Sequence, residues 1–543
     1  MTTPIAARFA LFAFLALACL PVGAADFFVT SIADVDDLSL GDGTCAALVG
    51  FEDGFPIPRP VYRCTLRAAV QEANALAGGD TIFLSGTRYT LTRVGPEENT
   101  GRYNDLDVVE TLTIVGAGRD LTTIDASGIR DAASLSGHAI QLTNRAIGPG
   151  GAFTMTGVTV EGSSESGIDS DTGFTTTVLT DVALLDNDGN GTRASFDSSY
   201  RDCRIAGNGL RGIWKAGSGG GTTSVERCEI SMNGGGVYND GENRLEIIDS
   251  TISDNMGQGG VKQSGRTTSI IRSTISGNSN SVGGAGVQFA SGIEHLIDSS
   301  TISDNVSTWH GGGVAVNSAG TALTVVNSTI SGNRTARIGG GVYAFGSVRF
   351  QNATVTQNFS DTDADGDGGG GGIGTAGSGE ALVRNSIVQG NSAGSGGASG
   401  ANCSGDVASE GYNLVGGDCS GFSLPLGDRF LPASLGALAN NGGPTRTHQP
   451  GPSSYAIDGG NSAGCMADTD GHAATPDVLL ELDQRGYHRP HTVVAARCDM
   501  GALEVPEPGA VASAASAITA MVCLARGLRR ESAGRSVGSR RRS

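Results

Sequence analysis

One short phrase of residues keeps returning through the middle of the chain. Ser250-Thr251-Ile252-Ser253-Asp254-Asn255, Ser273-Thr274-Ile275-Ser276-Gly277-Asn278, Ser300-Thr301-Ile302-Ser303-Asp304-Asn305 and Ser328-Thr329-Ile330-Ser331-Gly332-Asn333 differ only in whether Asp or Gly precedes the Asn. Looser copies end at Asn187, Asn208, Asn233, Asn358 and Asn391, so successive Asn residues stand 21, 25, 22, 23, 27, 28, 25 and 33 positions apart. A period of roughly 20 to 30 residues that absorbs insertions marks a solenoid, in which each repeat buries its apolar face on the next.

Within a repeat, Thr-Ile-Ser sets one apolar residue between two polar ones, which is strand alternation rather than helical spacing. Five residues before each Ile stands a second apolar column: Val225, Ile247, Ile270, Ile297, Val325, Phe350 and Val383. After each Asn a glycine run leads into a β-branched residue, as in Gly311-Gly312-Gly313-Val314 and Gly339-Gly340-Gly341-Val342. Three short strands per period with no helix between them predict an all-β fold, a single-stranded right-handed parallel β-helix; the handedness follows the crossover rule for parallel strands. Ile252, Ile275, Ile302 and Ile330 should form one inward column, and the Asn amides should bond from coil to coil. The glycine runs suit corners where φ is positive or a Cβ would clash.

The ends read differently. Residues 1–25 form an export signal: Arg8, an apolar run from Phe9 to Leu20, then small-residue cleavage sites around Ala24. Residues 26–104 form an N-terminal cap with one short helix near Cys64–Ala75, residues 105–400 carry the β-helix coils, residues 401–504 form a C-terminal cap, and 505–543 are a sorting or membrane segment with a basic tail. The full chain carries −19; removing Arg8 and the tail's seven arginines and one glutamate leaves a body near −26. With only two lysines, Lys215 and Lys262, no basic stripe exists and nucleic acid is not an expected partner. Eight cysteines fall into local pairs, Cys45 with Cys64, Cys203 with Cys228, Cys403 with Cys419 and Cys465 with Cys498. Behind a signal peptide such pairs read as disulfides. Cys203 and Cys228 align five residues before Asn208 and Asn233, so a bridge between neighbouring coils is expected, with two buried thiols as the alternative.

Several stretches resemble known families. The run Cys64-Thr65-Leu66-Arg67-Ala68-Ala69-Val70-Gln71-Glu72-Ala73-Asn74 resembles the CSLREA-type N-terminal domain of bacterial surface proteins. The glycine and Ser-Thr-Ile-Ser repeats resemble those of polymorphic outer membrane proteins and pectate-lyase-like β-helices. Asn441-Gly442-Gly443-Pro444, Ala456-Ile457-Asp458-Gly459-Gly460, Asp483-Gln484-Arg485-Gly486 and Cys498-Asp499-Met500-Gly501 are similar to the choice-of-anchor C-terminal domain, here a disulfide-tied cap. Pro506-Glu507-Pro508, an uncharged stretch over 509–525, and Arg526, Arg529 and Arg530 resemble a PEP-CTERM signal, which implies an exosortase-like processing enzyme. The chain runs on past Arg530, unlike such signals, and a plain C-terminal membrane anchor is the alternative.

For chemistry, Asp361, Asp363, Asp365 and Asp367 alternate along one loop before Gly368, as in the first half of a calcium loop. The twelfth position is Gly372 instead of Glu, so a solvated acidic loop is the competing reading. Asp254 with Asp304, and Asp249 with Asp298, recur two coils apart, about 9–10 Å, near the upper edge for an inverting glycosidase. They flank strands, no local Asp cluster or lysine base joins them, and no catalytic residue is assigned. Trp309-His310 before a glycine run offers a sugar-stacking corner. The expectation is an exported protein of the cell surface, outer membrane or extracellular matrix, monomeric, adhesive, carbohydrate-binding or structural. Its partners would be a polysaccharide or matrix component and the export machinery, with the membrane touched only by the C-terminal segment. The alternative is a polysaccharide lyase or glycoside hydrolase.

Overall fold

The computed structural model describes residues 23–54, 57–96, 100–130, 137–143, 151–170, 174–217, 220–394, 400–462, 464–468, 477–489 and 497–505. Most of the export signal and all of the tail from Pro506 lie outside the described residues. The chain divides into two compact units, residues 1–214 and 215–543.

In the first unit the coil stack starts earlier than the expected boundary at 105. Strand Asp26–Phe28 pairs in parallel with Asp80–Phe83, which pairs with Leu112–Val115, which pairs with Gly151–Glu161. The cap region is thus hydrogen-bonded into the stack and supplies its first strands. Helix α1 spans Leu66–Ala75, and the Thr65 hydroxyl accepts from the Ala68 amide at 3.1 Å as its N-cap. Its apolar face, Leu66, Ala69, Val70 and Ala73, is buried, and so is Arg67. Arg67 donates to both Asp34 oxygens (2.6 and 3.2 Å) and to the carbonyls of Gly101, Asn104 and Asp105 at 2.9–3.0 Å. A charge this deep is tolerated because its donors are satisfied. The helix is therefore anchored by a polar knot as well as by apolar packing.

In the second unit the repeat folds as its spacing predicts. Thr251–Ser253, Thr274–Ser276, Thr301–Ser303, Thr329–Ser331 and Thr354–Thr356 pair in parallel, setting Ile252, Ile275, Ile302, Ile330 and Val355 in one column. The preceding strands align Ile247, Ile270, Ile297, Val325, Phe350 and Val383. A third set aligns Val261, Val287, Val314, Val342 and Ile373. All but Val261, at 2%, are completely buried. A further two-residue strand follows each Asn from Asn255 to Asn391, as in Ser279–Asn280 and Val306–Ser307. Coils continue past 400: Cys403–Ser404, Val407–Gly411 and Leu414–Val415 still pair with the coil before them.

The turns explain the consensus. Asp254 and Asp304 have φ of +56° and +58°, and the matching Gly277 and Gly332 have +68° and +71°. The Asp/Gly choice before each Asn is thus a left-handed turn position, which Gly takes freely and Asp tolerates. The third glycine of a run answers to crowding instead. A Cβ on Gly313 would sit 2.6 Å from the Gly341 carbonyl and 2.9 Å from the Asn333 amide.

The C-terminal region is tied by disulfides, Cys403–Cys419 and Cys465–Cys498, as Cys45–Cys64 ties the first unit. It does more than cover the last coil. From about residue 432 it runs back along the outer face of earlier coils. Gln484 donates to the Ser300 carbonyl at 3.1 Å and accepts from the Thr329 hydroxyl at 2.6 Å. Thr301 donates to the Arg446 carbonyl, Ser331 bonds His448, and Thr354 accepts from the Ala502 amide. Thr301, Thr329 and Thr354 are consequently buried, whereas Thr251 in the same strand position is exposed. The expected outward polar face of the Thr-Ile-Ser strands is, over these coils, covered by the chain's own C-terminal segment.

The expected Cys203–Cys228 bridge is not present: both are buried thiols. Each sulfur takes the place of a serine hydroxyl. The Ser250 hydroxyl donates to the carbonyl two residues before it at 2.8 Å; Cys203 and Cys228 do the same to Arg201 and Glu226, both at 3.4 Å. Within the first unit, Cys203 also reaches the Leu179 carbonyl of the preceding coil at 3.5 Å.

Candidate functional site

The acidic loop leaves the second unit's stack after strand Phe359–Ser360 and rejoins it at Ile373–Thr375. Asp361 is 1% exposed and has φ of +57°. One carboxylate oxygen accepts weakly from the Gly366 amide at 3.3 Å; the other, Oδ2, is buried with no hydrogen-bond partner. Asp363 and Asp365 are exposed, and one oxygen from each of Asp361, Asp363 and Asp365 lies within 4.8 Å of the others. The fourth expected ligand, Asp367, is not in this group; it faces Arg337 at 3.3 Å. Gly372 sits in the glycine column, where its carbonyl accepts from the Val342 amide.

Arg337 links the loop to the aromatic corner. Its guanidinium lies 4.3 Å from the Trp309 ring centroid, and His310 stacks on Tyr343 at 4.5 Å. Burial, with Arg337 nearby, lowers the His310 pKa. Trp309 is 45% exposed, so part of the indole faces outward.

The aspartate columns are not an acid pair. Asp254 and Asp304 are the turn residues described above, and Asp304 also faces Arg446 at 3.7 Å. Asp249 and Asp298 do not align. The register pairs Asp298 with Ile271, and Ile271 with Ile248. Asp249 bonds Arg272 through both oxygens at 2.7 Å, which lowers its pKa, while burial raises that of Asp298.

Sequence reasoning missed a cleft in the first unit. It has a volume of about 420 Å³ and is lined by His138, Glu165, Asp169, Asp188, Arg193 and Trp214, with Ser164, Ser166 and Asn190 between them. That is within the roughly 300–1,000 Å³ usual for small-ligand sites. Its carboxylates are each paired: Glu165 meets the His138 ring at 3.0 Å, Asp169 meets Arg193 at 3.3 Å, and Asp188 meets Arg130. Arg193 and Arg211 lie over the Trp214 ring at 5.2 and 4.8 Å. The available signal was Trp214 itself, one of only two tryptophans in the chain. The other residues come from coils that carry only looser copies of the phrase, ending at Asn187 and Asn208, or that precede them.

The family described as right handed beta helix region matches residues 113–268 and 190–360. The chain is a right-handed parallel β-helix. No curated protein matches it in sequence. Among solved structures, this β-helix is similar to pectate lyase Pel9A, at 13% identity over 89% of this chain and 97% of that one, TM-score 0.38. It is also similar to the Azotobacter vinelandii mannuronan C-5 epimerase AlgE4 A-module, at 14% identity over 64% and 94%, TM-score 0.35. A third is the DFA-IIIase from Arthrobacter chlorophenolicus A6 without its lid, at 12% identity over 60% and 87%, TM-score 0.21. At these levels no chemistry of theirs carries over to the β-helix. Among the described residues no helix is long and apolar enough to cross a membrane. Pro506, Glu507, Pro508, Arg526, Arg529 and Arg530 lie outside the described residues.

Proposed function

We propose that this β-helix is an exported protein of the cell surface or matrix that binds polysaccharide and does not cleave it. The observation that carries the reading is the first unit's cleft. Its half-buried indole, arginine forks, Asn and Ser hydroxyls supply an apolar plate edged by planar hydrogen-bonding groups. Such a lining suits the faces and hydroxyls of a sugar. Catalysis is disfavoured because each cleft carboxylate is engaged by an arginine or by the His138 ring, so none is presented alone to a glycosidic oxygen. Export is supported by the three disulfides, which belong to an oxidising compartment. The C-terminal segment would attach the protein to the membrane before sorting by an exosortase-like enzyme.

The test is retention of the full chain on a panel of acidic and neutral polysaccharides, with product release scored in parallel. We expect retention on at least one glycan, no products, and retention cut at least about tenfold by Arg193→Ala with Asn190→Ala, the loss of roughly two polar contacts. Released oligosaccharides would overturn the non-catalytic reading. Retention that the double variant leaves unchanged, or no retention on any glycan, would overturn the cleft as its site.

A further inference from the structure

We propose that the Asp361–Asp365 loop is a calcium site, independent of the glycan cleft. The argument starts from a cost. A carboxylate at 1% exposure, with one oxygen hydrogen-bonded to nothing, is expensive unless a cation compensates it. The arginine paired with this loop is engaged elsewhere: Arg337 faces Asp367 and lies over Trp309. Two exposed carboxylates, Asp363 and Asp365, are instead folded back beside the buried one, three like charges gathered within 4.8 Å. Like charges that close repel unless something positive sits among them.

The ligand type selects the ion. Carboxylate oxygens on an irregular loop suit Ca²⁺, which takes six to eight oxygens in flexible geometry, better than Mg²⁺, which demands a near-ideal octahedron and sheds its waters reluctantly. The cluster offers such carboxylates, one oxygen from each of Asp361, Asp363 and Asp365. Its loop geometry is also in place: Asp361 and Ala364 take left-handed φ of +57° each, and the Ala364 amide donates to the Asp361 carbonyl. Three carboxylates provide part of the six to eight oxygens calcium takes, and the bidentate Glu of a full calcium loop is replaced by Gly372. Water must complete the shell, so the affinity belongs with extracellular modules, at about 10⁻⁴–10⁻³ M. Binding would fasten the loop to the buried Asp361 and shield it from proteolysis.

The test is calcium titration of the full chain by calorimetry, with limited proteolysis of the loop as a second readout. Asp363→Asn with Asp365→Asn touches only exposed side chains and should spare the fold. We expect binding near the stated range, Mg²⁺ at least about tenfold weaker, and calcium protection of bonds within 361–368. The double variant should lose at least about tenfold in affinity, while Asp367→Asn should stay within about threefold. No heat up to about 10 mM Ca²⁺, or a double variant that binds like the parent, would overturn the site. So would loop cleavage that calcium does not slow.

Discussion

At the scale of single residues, much of this sequence is turn chemistry dressed as functional chemistry. Asp254 and Asp304 look like spaced acids and are left-handed corners. The acids that do carry an electrostatic load sit at the end of the C-terminal region. Buried Arg489 donates to Glu504 at 2.9 Å and to Asn327 at 2.9 Å, and Glu504 also accepts from the Asp499 amide. One cation serves two buried carboxyls, so they share a proton: burial pushes Glu504 up to about 8 and Asp499 up to about 6. Both acids are raised in the folded protein, so the fold holds a proton that the unfolded chain gives up. That contribution is complete below the ordinary carboxylate range and is lost as pH rises through about 6 to 8. Thermal unfolding should therefore show a melting temperature lower at pH 8.5 than at pH 5.5 by a few degrees, and Glu504→Gln should flatten that slope; an equal slope in the variant refutes the shared proton. The cysteines give a second residue-scale prediction. After denaturation without reductant, alkylation should label the peptides holding Cys203 and Cys228 and leave the other three pairs unlabelled.

At the scale of elements, the Asn column is the bond that joins coil to coil. In the second unit Asn233 donates to Asn255, and so on through Asn278, Asn305, Asn333, Asn358, Asn391 and Asn402, at 2.9–3.1 Å. In the first unit Asn187 donates to Asn208 in the same sense. Each backbone amide at these positions also donates to the next Asn oxygen, as Asn278 does to Asn305 at 3.0 Å. The column ends on a carboxylate, Asp418, which accepts both the Asn402 side chain and its amide. A serine column runs beside it, the amides of Ser250, Ser273 and Ser300 each donating to the next serine hydroxyl, and the equivalent positions end likewise, Ser386 on Asn413 and Asn413 on Asp428. Aligned donors strengthen one another, and a charged acceptor closes the line well. Asn305→Ala strips the acceptor from two buried groups and two donors from their carbonyl partners, and should cost about 2–4 kcal/mol in denaturant unfolding. Asp418→Asn keeps one acceptor and should cost about half as much. A loss under about 0.5 kcal/mol for Asn305→Ala would mean the amides do not act as a ladder.

At the scale of the whole molecule, legibility followed periodicity. Ile252 and Asn255 could be placed because in-register stacking sets the same residue at the same point of every coil. Gln484 could not be placed on Ser300, because a contact across 184 positions leaves no period to read. Arg67 was hidden for another reason: it stands on the helix beside its apolar face, and only Asp34 and three distant carbonyls explain its burial. The folded-back segment is closed on itself by Cys465–Cys498 and meets its coils through polar contacts and small apolar clusters, such as Leu480 and Ala467 with Leu296 and Val326, so Cys465→Ser with Cys498→Ser should speed amide exchange in residues 477–489 and 497–505 far more than in the Thr-Ile-Ser strands. Equal acceleration in both would show that segment and coils unfold together. The one-way Asn column also fixes the increment by which such a gene can lengthen or shorten. Excising residues 256–278 would bring Asn255 against Asn305 and Ile252 against Ile302, leaving every column matched and losing little beyond the Asp249–Arg272 pair. A slip of a single residue would instead turn the isoleucines to the outside. Heredity in this chain is counted in coils.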